Sequence, residues 1–230
     1  MKRRSLLDKI PNFSNSLENF KTHFFTVPFL AAFNILTVLI LGWLSVYAKL
    51  NKKGDGVERL FSDPFNFWFP YEGILTGVSE VLGCSCVAIC AFTFGLLRQK
   101  DPRSRSAIFL FFSALLLGVL YVDDRFRMTL ILTQLGISKK IIYLCYASGI
   151  FLYISNFWQY IKTTPYFPLV VAVFLFAISR LEDIINSPST GLHAMLEDGT
   201  KLVALLNLVL YFWYVCHQEV GRHFQHSEKD

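Results

Sequence analysis

Acidic pairs at the ends of apolar stretches are the side chains in this sequence with the most chemistry to offer. Asp123-Asp124 closes one apolar run, Glu182-Asp183 closes another, Glu197-Asp198 opens a third, and Glu72 opens a fourth. Carboxylates bordering a membrane are costly, and those that persist usually face a cavity, pair with bases, or handle ions and protons. If the runs cross in alternating directions, all four groups fall at one membrane level, in reach of one another across helix separations of about 8–10 Å. Glu80 lies deeper. Eight residues after Glu72 on one helix is about 12 Å of rise toward the bilayer centre. A carboxyl there is either a proton acceptor or cation ligand, or a structural acid hydrogen-bonded to a neighbouring helix.

Each acidic pair also has a base beside it. Asp123 and Arg127 are four residues apart, as are Glu197 and Lys201, while Asp198 and Lys201 are three apart and Arg180 precedes Glu182 by two. Pairing along each helix would leave only a salt-bridged rim. If Arg125, Arg127, Arg180 and Lys201 point into a common cavity instead, the site is zwitterionic and suited to a polar lipid headgroup.

Other chemical signals are weaker. His193 with Glu197 is a possible divalent-cation pair, but a metal site needs several converging ligands and a loop histidine is more often solvated. No mid-span histidine offers haem an imidazole ligand, and no motif specifies a cofactor. The five cysteines all lie in apolar runs and read as small packing residues. Gly73 and Gly77 form G-x-x-x-G, a spacing that lets helices approach closely. Asn156, Gln159 and Asn207 are candidates for hydrogen bonds between helices, and Tyr211 to Tyr214 for an aromatic belt.

The elements that must carry these residues follow from composition. Only 17% of the 230 residues are charged and 53% are hydrophobic, against roughly 25% charged in soluble domains. A helix crossing a bilayer needs about 20 mostly apolar residues. The candidates are 28–48, a run beginning at Glu72, 106–122, 140–160, 166–181 and 194–216. The expected fold is thus all-α: a polytopic membrane bundle of about six transmembrane helices, with a short interfacial or re-entrant piece over 128–137. Phe13, Leu17, Phe20 and Phe24 form one helical stripe, so an amphipathic interfacial helix is expected before the first span. The division is 1–27 basic amphipathic segment, 28–216 bundle, and 217–230 polar, frayed tail. Arg98, Lys100, Arg103 and Arg105 together with the basic amino terminus favour both termini in the cytoplasm. An inner membrane of bacterial type is the expected location. The lipid bilayer is the expected partner, with other membrane subunits an option; a polar basic surface for nucleic acid is absent.

Asp123-Asp124 and the run Leu196-Glu197-Asp198-Gly199-x-Lys201 resemble motifs of a set of uncharacterised bacterial six-span membrane proteins. There the third span ends in Asp-Asp before an interfacial helix, and the last opens with Glu-Glu-Gly-x-Lys. The resemblance covers roughly residues 105 to 216. In those proteins the Asp-Asp pair continues into His-Glu; here the stretch is Arg125 to Leu130, without either, which weakens the case for metal-dependent activity.

Three functions fit the sequence. The preferred one is ion or proton handling through Glu80 and an acidic rim formed by Glu72, Asp123, Asp124, Glu182, Asp183, Glu197 and Asp198, with Lys201 among them. The second is a non-catalytic structural or assembly subunit of a membrane complex. The third is a metal-dependent lipid hydrolase. No nucleophile-elbow, zinc-protease or phosphate-loop motif supports enzyme chemistry.

Overall fold

The computed structural model describes residues 28–51, 54–62, 71–100, 104–185 and 191–227. The described residues are helical, without a strand. The helices in chain order are α1 (Pro28–Leu50), α2 (Gly54–Leu60), α3 (Ile74–Lys100), α4 (Arg105–Phe126), α5 (Met128–Gln134), α6 (Lys139–Ile161), α7 (Phe167–Ile185) and α8 (Gly191–Ser227). Four stretches are long and apolar enough to cross a membrane: Ile74–Gln99, Arg105–Phe126, Lys139–Ile161 and Leu196–Arg222. Ala32–Tyr47 and Phe167–Arg180 are shorter apolar helices. Val81, Phe92, Leu144, Phe151 and Phe174 stand exposed on these helices. In water such a surface would drive association, whereas lipid tails solvate it.

α8 is the most enclosed of the four long helices and packs against α1, α2, α3 and α7. The reason lies in its register. Leu208, Tyr211, Phe212, Val215 and Cys216 share one inward stripe and meet Cys86, Cys90 and Leu97 of α3, Phe109 and Leu110 of α4, and Ala172 of α7 in the main core. Tyr211 and Phe212 therefore belong to the core rather than to the expected aromatic belt; of that quartet Trp213 points outward, 100° further round the helix. Phe109 is the aromatic centre, with ring centroids 4.6–6.2 Å from Tyr153, Phe157, Tyr160 and Phe212. Two pairs of hydroxyls in the core meet each other, Ser113 Oγ lying 2.7 Å from Tyr153 Oη and Thr164 Oγ1 3.0 Å from Tyr211 Oη, whereas Tyr160 Oη is buried without a hydrogen-bond partner among the described residues.

Polar side chains also tie helices together. Asn34 of α1 and Asn207 of α8 exchange amide hydrogen bonds, Asn34 Nδ2 donating to Asn207 Oδ1 at 3.0 Å and Asn207 Nδ2 to Asn34 Oδ1 at 2.6 Å. Gln159 accepts from Arg105 at 3.4 Å and links α6 to α4, whereas Asn156 donates to Leu152 of its own helix.

The structure differs from the sequence reading in three further places. α8 continues through Ser227, because the stretch expected to fray carries an Arg222–Glu219 pair at 2.8 Å and no proline. α2 was not expected; Val57 and the following Phe61 form a small second core with Leu41 and Leu44 of α1 and Leu75 of α3. Gly73 lies in the turn before α3, at φ 69°, and a Cβ on Gly77 would meet nothing within 4 Å. The close approach occurs at Gly83, where a Cβ would sit 2.9 Å from the Tyr121 ring of α4. The interfacial helix expected over 13–24 lies outside the described residues.

Asn207→Leu should cost about 1–2 kcal/mol, since it removes both bonds to Asn34 and leaves that amide facing an apolar helix. Unfolding in graded denaturing detergent measures it, with Asn156→Leu as a near-neutral comparison.

Candidate functional site

α4 ends where Arg127 adopts the left-handed conformation, φ 50° and ψ 41°, its N–H bonding the Asp123 carbonyl. Arg127 is then the residue from which α5 starts, its carbonyl accepting from Leu130 and Ile131. Asp123 is only 9% exposed, and its carboxylate turns back to this new helix. Oδ1 accepts from Thr129 N at 2.6 Å, and the Thr129 hydroxyl lies 2.7 and 2.9 Å from the two oxygens. Asp123 thus caps an amide that α5 leaves open at its amino end. The expected i, i+4 geometry with Arg127 does not arise, because the helix has already ended. α5 closes on Gly136 at φ 91°, with Ile137 N bonding Leu132 O and Gly136 N bonding Thr133 O, a Schellman turn that leads into α6.

The ion pairs described at this end join different helices. Arg125 Nη1 of α4 lies 2.7 Å from Glu80 Oε1 of α3, with side-chain exposures of 23% and 21%. Asp124 of α4 receives Lys201 Nζ of α8 at 2.6 Å, and Arg180 Nη2 of α7 lies 3.7 Å from the same oxygen. Lys201 therefore reaches across to Asp124, and Glu80 meets a guanidinium instead of standing alone. These side chains are only partly withdrawn from water, so pairing offsets a partial desolvation cost.

These residues surround one cavity of about 420 Å³. α3 contributes Thr76 and Glu80. α4 contributes Asp123, Asp124 and Arg125, and the α5 turn adds Arg127 and Thr129. Lys139 and Tyr143 come from α6, Ser179 and Arg180 from α7, and Glu197, Asp198 and Lys201 from α8. Five acids and five bases share the lining. Of the sequence candidates, Glu80, Asp123, Asp124, Glu197, Asp198 and Lys201 converge here. Glu72 sits in the turn ahead of α3 and is not part of the lining; its Oε2 is buried without a hydrogen-bond partner among the described residues. The side chains of Glu182, Asp183 and His193 lie outside the described residues. Among those described, no three His, Cys, Asp or Glu side chains are placed to hold a metal ion.

Sequence reasoning missed Thr129 as the partner of Asp123 and Thr76 as a lining hydroxyl. The first had a signal, a threonine three residues beyond the end of a helix that carries acids in its last turn; the second had none.

A family described as Domain of unknown function (DUF8692) matches residues 26–215. No curated protein and no solved structure matches the chain.

Lys201→Met should destabilise the bundle by about 1–3 kcal/mol, between the values for surface and fully buried pairs, by leaving Asp124 with the more distant Arg180. Adding Asp124→Asn should recover part of that loss. A double-mutant cycle on thermal unfolding measures the coupling.

Proposed function

The chain belongs to the DUF8692 family, whose description names no activity, and we propose from the geometry of its own side chains that it handles ions or protons through the charged cavity. The observation that carries this reading is the Glu80–Arg125 pair, a carboxylate and guanidinium from separate helices meeting at 2.7 Å on the cavity wall. A proton on Glu80 removes its half of the attraction and releases Arg125 toward Asp123 and Asp124, neighbours on the same helix end. A cation entering the cavity competes with Arg125 for the same oxygen. Either event exchanges one partner of a two-state pair, the minimal element for coupling an ion to a conformational change. Asp124, held from two helices by Lys201 and Arg180, is the fixed charge against which this exchange takes place.

The membrane arrangement proposed with it has six crossings, α1, α3, α4, α6, α7 and α8. Supporting it are the 23-residue length of α1 and the 19-residue length of α7. Both termini then lie in the cytoplasm of a bacterial-type inner membrane, with the basic segment between α3 and α4 on the same side and the cavity opening to the other. The motif residues resembling the bacterial six-span set, Asp123, Asp124, Glu197, Asp198 and Lys201, all line this cavity.

In liposomes loaded with a pH-sensitive dye, the wild type should dissipate an imposed proton or cation gradient, and Glu80→Gln should do so several-fold more slowly. Equal fluxes remove Glu80 from the pathway. Topology is checked with single cysteines in a cysteine-free background: Ile137→Cys should react with an impermeant thiol reagent in intact cells, and Gln99→Cys only after permeabilisation.

A further inference from the structure

We propose that the cavity seats a zwitterionic group, its phosphate end on the α5–α6 side and its ammonium end on the α8 side. The inference rests on the cavity being the working site and adds the chemical class that the site takes.

The two sides differ in charge because they are built from different helices. α6 packs on α4 and α5, while α8 packs on α3 and α7, so the two helices bring their lining residues to the cavity from different neighbours. The α5–α6 flank brings Arg127 and Lys139 to the cavity. Lys139 begins α6, whose Ser138 makes no side-chain cap, so the helix end adds partial positive charge beside the lysine. Arginine and lysine together suit phosphate oxygens.

The α8 flank brings Glu197 and Asp198, while its bases, Lys201 and Arg180 of the adjoining α7, are engaged by Asp124. Asp198 lines the cavity without a hydrogen bond or ion pair among the described residues. Thr76 Oγ1 of the adjoining α3 is buried and lacks a hydrogen-bond partner among them. An ammonium carries three donors and no acceptor, which matches a carboxylate and a hydroxyl oxygen. The volume falls within the roughly 300–1,000 Å³ of small-ligand sites. In the six-crossing arrangement proposed above, the lining falls near one end of the helices, at the level of lipid phosphate and amine groups. The same chemistry could arrive on a phospholipid headgroup or as a free phosphoethanolamine-like solute.

Native mass spectrometry of the full chain, purified in mild detergent with phosphatidylethanolamine and phosphatidylglycerol added in equal amounts, tests the proposal. Wild type should retain phosphatidylethanolamine in preference. Asp198→Asn should abolish the preference by weakening phosphatidylethanolamine roughly tenfold, the scale of a partly buried charge losing its partner. Lys139→Gln should weaken both lipids while leaving the preference in place. Retention of both lipids alike by wild type, or a preference untouched by Asp198→Asn, overturns the proposal. Displacement of the lipid by free phosphoethanolamine assigns a soluble zwitterion to the site; lipid retention that resists it assigns the headgroup. Because this readout is binding without flux, an inert Glu80→Gln with these results intact defeats only the ion-handling reading. Normal gradient flux without any lipid or phosphoethanolamine preference defeats only this one.

Discussion

A charge placed among apolar helices must find its counter-charge within the protein, and that requirement organises the charged end of this bundle. Asp124 holds α4 to α8 through Lys201 and to α7 through Arg180, while Arg125, the next residue, holds α4 to α3 through Glu80. Two consecutive residues of opposite charge thus reach three different helices. Moving α4 by one residue would rotate both side chains by 100° and break all three contacts, so the ion pairs specify register as well as proximity. Whether such pairs add net stability is a separate matter, because desolvation offsets much of their attraction.

The apolar half of the bundle has a complementary role. Phe109, Tyr211 and Phe212 pack the helices below the charged end, and Gly83 lets α3 approach the Tyr121 ring of α4. That tight packing lets neighbouring helix ends present charges at 2.6–2.7 Å. At the same time the lining holds more polar groups than it pairs internally, with Asp198 and Thr76 Oγ1 as the examples. A packed core with polar capacity left over at one end is what the proposed binding role requires.

Much of this was legible in the residues. Apolar runs located the long helices to within a few residues, apart from the carboxyl end of α8, and of the acids at their ends Asp123, Asp124, Glu197 and Asp198 share one cavity. Asn207 as a link between helices was legible too, although its partner Asn34 was not. The short α2 escaped because seven residues carry too little periodicity to register. Pairing assignments along one helix also misled: spacing identifies which neighbours are close on an ideal helix, and says nothing of a residue such as Arg127 that terminates it.

By itself the sequence determined the class of the protein, through hydrophobic runs whose length matches a bilayer, and the inventory of charges at their ends. Only the tertiary structure decided which charges meet. A lysine side chain can reach a partner on its own helix or one on a neighbour at nearly equal distance, and the choice depends on which helices lie side by side. That adjacency, set by the packing of α8 against α3 and α7, turned Lys201 toward Asp124 and left Asp198 facing the cavity.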